Sequence, residues 1–128
     1  MLSERGLRPA LQTLADRAGF AVTITAVPRR PLSEPVEVAA YYVASEALAN
    51  VAKHAAGSHA SIRIKRVRGH ATVEISDDGP GGADPSGGSG LRGLADRVEA
   101  LGGELEVQSP PGKGTRVRAT LPIDRTAR

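Results

Sequence analysis

One glycine-dense stretch constrains this chain more than any other feature of its sequence. Residues 77–94 contain seven of its 15 glycines. Glycine loses more backbone entropy on folding than other residues, so glycines gather where a backbone turns sharply or passes close to another group. The stretch links an alternating run at 71–76 to a run with helical spacing at 91–101. A strand, a glycine loop and a helix start suit an anion site, because free N–H groups and the positive helix end face the anion. The alternative is a flexible surface loop.

Bulk composition indicates one soluble domain with an aliphatic core. The chain has 128 residues, of which 40% are hydrophobic and only 2% aromatic, and it has no cysteine, which excludes disulfides and thiolate zinc sites. There is no apolar run of membrane-spanning length and no secretion signal, so we expect a cytoplasmic domain without direct membrane contact. The net charge of +3 is spread along the chain, and the only aromatic side chains are Phe20, Tyr41 and Tyr42. This pattern disfavours nucleic acid as a partner.

The order of helical and alternating runs predicts a two-layer α/β sandwich, in which a mixed sheet carries its helices on one face. Helical spacing occurs around residues 7–18, 36–56 and 91–101, and alternation occurs at 20–25, 61–65, 71–75, 104–108 and 115–121. Each strand has one aliphatic face and one polar face, which is typical of a sheet covered on one side only. We expect the charged residues of the open face to form cross-strand surface pairs without a catalytic role: Arg63, Lys65, Glu74, Glu104, Glu106, Arg116 and Arg118.

The longest helical run begins after a candidate N-cap, Ser33, and is apolar around most of its circumference, which is typical of a buried helix. Four of its polar residues fall within one sector of about 100° when projected down the helix axis; they are Glu46, Asn50, Lys53 and His54. Buried polar groups need partners, so this cluster either meets a polar ligand, satisfies itself, or marks the solvent edge of the helix.

Four segments, taken together and in order, resemble the motifs of the GHKL ATP-binding fold, which histidine kinases, gyrase, Hsp90 and MutL share. Residues 46–55 resemble its asparagine box, the D-x-G-x-G pattern at 77–81 its first glycine box, 88–94 its second, and the G-x-G-T at 112–115 its closing motif. The resemblance covers residues 7–122 and implies the Bergerat, or GHKL, version of the α/β sandwich.

The sequences of these motifs are most similar to those of sensor histidine kinases of two-component systems, in the subfamily that signals to NarL/FixJ-type response regulators. The matching segments are residues 45–50, 90–98 and 101–103, and residues 82–87 would form a very short lid between the glycine boxes. The resemblance implies a single ATP-binding catalytic domain that transfers the γ-phosphoryl group of ATP to a histidine.

The resemblance also implies roles for individual residues. Asn50 would ligate a Mg²⁺ ion on the ATP phosphates, with Glu46 nearby as a polar or acid-base partner. Asp77 would accept the adenine amino group with support from Thr115, although turn chemistry would also explain Asp77 and Asp78. Gly79 and Gly81 would let the base lie close to the backbone. The phosphates would contact a second set of residues, namely Gly88, Gly90, the N–H groups at Leu91, Lys53 and His54.

One part of a histidine kinase is missing from the sequence pattern. No long helical pair precedes Leu7, and each of the three histidines, His54, His59 and His70, is followed by alanine, whereas the family's acceptor histidine is followed by an acidic residue. The expected partners are therefore a separate histidine-bearing dimerisation domain, in the same kinase or in trans, and a response regulator. The alternatives are an anti-sigma-factor-type serine kinase and an ATP-hydrolysing module in which Glu46 activates water.

Overall fold

Three helices and five strands make up the part of the chain that the computed structural model describes, which is residues 6–54, 58–81 and 91–123. The helices are α1 (Leu7–Arg17), α2 (Glu34–His54) and α3 (Leu91–Ala100). The strands are β1 (Val22–Ala26), β2 (Ala60–Val67), β3 (His70–Asp77), β4 (Glu104–Gln108) and β5 (Thr115–Pro122). Every predicted helix and strand is present, with boundaries that differ by one or two residues where they are described.

The sheet is mixed, with the strand order β1-β2-β3-β5-β4. β1 pairs with β2 in parallel, and all other neighbouring pairs are antiparallel. The parallel pair is joined through α2, because parallel neighbours need a crossover connection. β2 and β3 form a hairpin whose turn at Arg68 and Gly69 has positive φ at both residues, as two-residue hairpin turns favour.

The core lies between the sheet and the helices. Alternate residues of the central strands are buried, among them Ile62 on β2, Val73 on β3 and Val117 on β5. The helices meet them with the buried residues Leu7, Leu11, Ala40, Val43, Ala44, Leu94 and Val98. This confirms the predicted α/β sandwich with its helices on one face.

The α2 helix is less buried than its apolar sequence predicts. Its sheet-facing side is fully covered, but Tyr42, Ala49 and Lys53 are exposed, because the neighbouring helices and the sheet leave one stripe of α2 uncovered. Tyr42 lies under the guanidinium of Arg97 on α3, with Cζ 4.2 Å from the ring centroid, and meets Tyr41 edge-to-face at 6.4 Å. None of the described helices is both long enough and apolar enough to cross a bilayer.

Glu37 fixes the start of α2. Its buried carboxylate oxygen Oε2 accepts a hydrogen bond from the backbone N–H of Leu32 at 3.0 Å, and its own N–H donates to the Ser33 carbonyl at 3.0 Å. The carboxylate therefore does more than complement the helix dipole, which is the role that its position in the first turn indicates.

Replacing Glu37 with alanine is expected to lower the free energy of unfolding by about 1–3 kcal/mol, because the buried Leu32 N–H loses its acceptor. Glu37→Gln keeps an acceptor oxygen and should lose less. Urea denaturation measures both, and Glu34→Ala, at an exposed position in the same helical turn, is the control. A loss no larger for Glu37→Ala than for Glu34→Ala would contradict this role.

Some of the charged residues on the open face of the sheet form the expected cross-strand pairs, and others do not. Glu74 on β3 lies opposite both Arg63 on β2 and Arg118 on β5, and it forms ion pairs with both. Lys65 and Glu104, which were also expected to pair, lie opposite Thr72 and Thr120. The strand register, which the sequence does not determine, places a neutral residue against each of them.

Candidate functional site

The end of β3 turns sharply at the first of the predicted site residues. Asp77 is the last residue of the strand, and its side chain is partly buried. Its oxygen Oδ1 accepts a hydrogen bond from the backbone N–H of Gly79 at 2.8 Å. This bond occupies one oxygen of the carboxylate and fixes the orientation of the other, as is typical of a turn that begins at aspartate.

The next residue, Asp78, forms hydrogen bonds to a part of the chain that is distant in sequence. Asp78 Oδ1 accepts from the N–H of His59 at 2.7 Å, and the Asp78 N–H donates to the His59 carbonyl at 3.2 Å. His59 follows the last described residue of α2, His54, by five residues, which can span no more than about 18 Å. The end of α2 and the loop after β3 therefore lie at the same end of the sheet. The turn role considered from the sequence therefore applies to Asp77, through its bond to Gly79, whereas Asp78 ties the loop to the residue before β2.

The closing loop at 109–114 packs directly on the first glycine box. The N–H of Gly112 donates to the carbonyl of Pro80 at 2.6 Å. A Cβ on Gly81 would overlap the Pro110 carbonyl oxygen, and a Cβ on Gly114 would overlap the Asp77 carbonyl oxygen. Both glycines also have positive φ, +73° and +76°, which other residues rarely adopt. Two motifs that are more than 30 residues apart in the sequence therefore form one tightly packed unit.

Thr115 joins this unit from the next strand. It is directly opposite Asp77 in the β3–β5 register, and its Oγ1 lies 2.6 Å from the hydroxyl of Ser109. The structure thus brings together Asp77, Gly79, Gly81 and Thr115 of the predicted site. The contact between Ser109 and Thr115 and the bonds between Asp78 and His59 were not predicted from the sequence, because neither Ser109 nor Asp78 has a distinctive spacing.

The second group of predicted site residues lies along α2. Glu46 and Asn50 are one helical turn apart and both are partly buried, whereas Lys53 is exposed. The side-chain nitrogen of Asn50, Nδ2, is buried and has no hydrogen-bond partner among the described residues. Leaving such a donor unpaired costs about 1–3 kcal/mol. A partner supplied from outside this part of the chain would remove that cost.

Part of the predicted phosphate contact falls outside the described residues. Gly88 and Gly90 lie in the 82–90 segment, as does the expected lid, and the side chain of His54 is also outside the described part. Leu91 begins α3 and is 1% exposed. Its side chain packs in the core, so only its backbone N–H is available for the predicted contact.

A mixed sheet covered by one layer of helices, with a D-x-G-x-G turn after a central strand, is the arrangement of a known class of ATP-binding domain. Residues 36–125 match the family described as "Histidine kinase-, DNA gyrase B-, and HSP90-like ATPase". The chain belongs to this family of ATP-binding domains, and it is homologous to the catalytic domains of sensor histidine kinases.

Similar proteins support this assignment. The chain is 32% identical over 130 residues to the histidine-protein kinase/phosphatase DegS of Brevibacillus brevis, covering 95% of this chain and 34% of that protein. It is 30% identical over 125 residues to the sensor histidine kinase YxjM of Bacillus subtilis, covering 96% and 31%. Its fold is similar to that of the blue-light activated histidine kinase EL346 of Erythrobacter litoralis, with a TM-score of 0.79, 25% identity and coverage of 94% and 43%. The chain spans about a third of the length of these two curated relatives.

Proposed function

We propose that this chain binds ATP with Mg²⁺ between the Asn50 side of α2 and the loop that follows β3, and that it passes the γ-phosphoryl group to a histidine on a dimerisation domain. The buried, unpaired Asn50 Nδ2 is the observation that carries this proposal. Asp77 and Thr115 would hold the adenine end, since they lie side by side at the end of adjacent strands.

The residues present fit a magnesium ion that takes most of its ligands from elsewhere. The described residues contain no cluster of three or more His, Asp or Glu side chains that could hold a metal. Mg²⁺ often keeps several waters and binds through one or two protein oxygens together with substrate phosphates. Asn50 would supply such an oxygen, and its Nδ2 would then be free to donate to a phosphate. When bound, the ion would neutralise charge on the phosphates during transfer.

Glu46 is the proposed acid-base residue. It lies one turn before Asn50 on the same face of α2 and is partly buried. From there its carboxylate would orient the groups around the γ-phosphate, while Lys53, His54 and the N–H groups of Gly88, Gly90 and Leu91 would contact the phosphates. Phosphoryl transfer needs mainly positioning and charge stabilisation, which such groups supply.

The partners follow from the same proposal. The acceptor would be a histidine-bearing dimerisation domain, in the same full-length kinase or in trans, and the downstream partner a response regulator. The similarity to DegS and YxjM, together with the motif sequence at 90–98, supports membership of the subfamily that signals to NarL/FixJ-type regulators. The domain would act in the cytoplasm.

Calorimetric titration with ATP tests the site directly. In the presence of Mg²⁺, Asn50→Ala is expected to weaken binding by about 10- to 150-fold, because a charge-assisted contact of about 1.5–3 kcal/mol is lost. Without Mg²⁺ the difference from wild type should shrink. The control is Gln12→Ala, which removes an exposed carboxamide that donates to Asp16 on α1. Equal affinities of Asn50→Ala and Gln12→Ala with Mg²⁺ present would exclude Asn50 as the metal-holding residue.

The acceptor is tested by phosphorylation of a dimerisation domain from a related kinase. Acid-labile phosphohistidine supports the proposal, whereas acid-stable phosphoserine on a protein substrate would favour a serine kinase. Steady ATP hydrolysis without transfer, lost in Glu46→Gln, would favour a hydrolytic module.

A further inference from the structure

Four charged side chains on the open face of the sheet form a cluster with an unequal number of positive and negative groups. We call Arg63, Arg116 and Arg118, gathered around Glu74, the arginine cluster. Glu74 Oε2 lies 3.5 Å from the Nε atoms of both Arg116 and Arg118, and Glu74 Oε1 lies 3.9 Å from Nη1 of Arg63. One carboxylate therefore serves three guanidinium groups.

The arginines of this cluster have unused binding capacity. Their side chains are 43–51% exposed, whereas Glu74 is only 19% exposed. Arg116 and Arg118 reach Glu74 through Nε at 3.5 Å, a distance that allows only weak bonds, and each guanidinium has five N–H donors, so both have capacity for a further acceptor. Arg118 Nη1 is also 3.9 Å from Glu106. Because three guanidinium groups share the two carboxylates of Glu74 and Glu106, the local charge is about +1, and an additional anion is attracted to cations that Glu74 already holds in place.

The shape of the surface indicates the size of the ligand. The cluster spans β2, β3 and β5, which places its outer members about 10 Å apart on an open sheet face. Lys65 adds a further exposed cation on β2, two residues beyond Arg63, and the hydroxyl residues Ser61 and Ser76 face each other on the other side of Arg63. The concavity on this face, which Arg63, Lys65 and Glu74 help to line, is open to solvent. Small molecules bind preferentially where they are largely enclosed, so this face fits an extended polypeptide or a protein surface better.

We propose that the arginine cluster docks an acidic segment of a partner protein. Arg116 and Arg118 are two residues apart on one strand, so their side chains repeat every 6–7 Å, which is also the spacing of alternate side chains in an extended peptide. Carboxylates on alternate residues of such a peptide would match them and could form bidentate pairs. The cluster lacks aromatic residues on which bases could stack, and this favours protein over single-stranded nucleic acid. The docking face is the side of the sheet opposite the helices and does not depend on ATP binding.

Fluorescence anisotropy of the whole chain at low ionic strength tests this, with a labelled 12-residue peptide of alternating glutamate and threonine as the probe. Arg63→Gln/Arg116→Gln/Arg118→Gln should weaken binding about tenfold or more. The matched control is Arg8→Gln/Arg29→Gln/Arg30→Gln, which removes the same charge beside a different pocket and should change affinity less than about threefold. Equal losses in the two triple variants would mean attraction by net charge alone and would overturn the proposal.

Glu74→Gln gives a second test that does not rely on losing an interaction. The neutral amide no longer competes with the peptide for the arginines, so affinity should increase by about threefold or more, beyond the increase for Glu99→Gln, an exposed position on α3. Unchanged affinity in Glu74→Gln would contradict the proposal. So would a single-stranded oligonucleotide of the same charge that binds as tightly and loses as much in the cluster variant. Thermal unfolding of each variant confirms that it is folded.

Discussion

Replacing Asp77 with alanine is expected to weaken ATP binding by about 10- to 150-fold, because a hydrogen bond to a charged acceptor contributes about 1.5–3 kcal/mol. In the proposed site, the Asp77 carboxylate would accept a hydrogen bond from the adenine amino group and would disfavour the carbonyl that guanine has at the same position. The variant should therefore lose its preference for ATP over GTP as well as its affinity. Calorimetric titration with both nucleotides measures the two effects.

The neighbouring Asp78 provides a matched control. Asp78→Ala removes a carboxylate of the same charge one residue away, but the bond it breaks is to the backbone of His59. We expect it to lower the free energy of unfolding by about 1–2 kcal/mol while the ATP/GTP preference is retained. If the two alanine variants discriminated between ATP and GTP equally well, Asp77 would not be the base-reading residue.

Gly114→Ala is expected to destabilise the domain strongly. Its φ of +76° disfavours a side chain, and the new Cβ would overlap the carbonyl oxygen of Asp77, a backbone atom that cannot move without disturbing the β3–β5 pairing. We expect a loss of about 3–5 kcal/mol, of which about 1–2 kcal/mol comes from the backbone conformation alone. Urea denaturation measures it.

Gly112→Ala separates these two contributions. Gly112 has a similar φ of +80°, but a Cβ there would meet nothing within 4 Å. Its loss should therefore be limited to the conformational part, about 1–2 kcal/mol. A loss at Gly112 as large as that at Gly114 would indicate that backbone strain, and not the close approach to Asp77, explains the requirement for glycine.

Periodicity and turn residues were enough to predict the elements of this fold and its layers. Alternation at 71–75 and helical spacing at 91–101 depend on local chemistry, and the structure confirms both. The strand order was not predictable in the same way, since β5 lies between β3 and β4 and periodicity does not specify neighbours. For the same reason, the expectation that Lys65 and Glu104 would each lie opposite a charged residue was wrong, since each lies opposite a threonine.

The candidate site was predictable only as a set of motifs. The resemblance to known motifs named Asp77 and Thr115, and the register places them opposite each other. It did not reveal why Gly114 must be glycine, because that requirement comes from the carbonyl of a residue 37 positions earlier. Nor did it reveal the hydrogen bonds between Asp78 and the backbone of His59. Long-range backbone contacts of this kind have no local sequence signature.

The tyrosine pair on α2 gives this domain a built-in spectroscopic probe. The chain has no tryptophan, and its only two tyrosines are neighbours that touch edge-to-face. Since the ring of Tyr42 lies beneath Arg97 of α3, near-ultraviolet circular dichroism and tyrosine emission arise almost wholly at the seam between these two helices. Any ligand or partner that shifts α3 against α2 will change that signal, with no label attached.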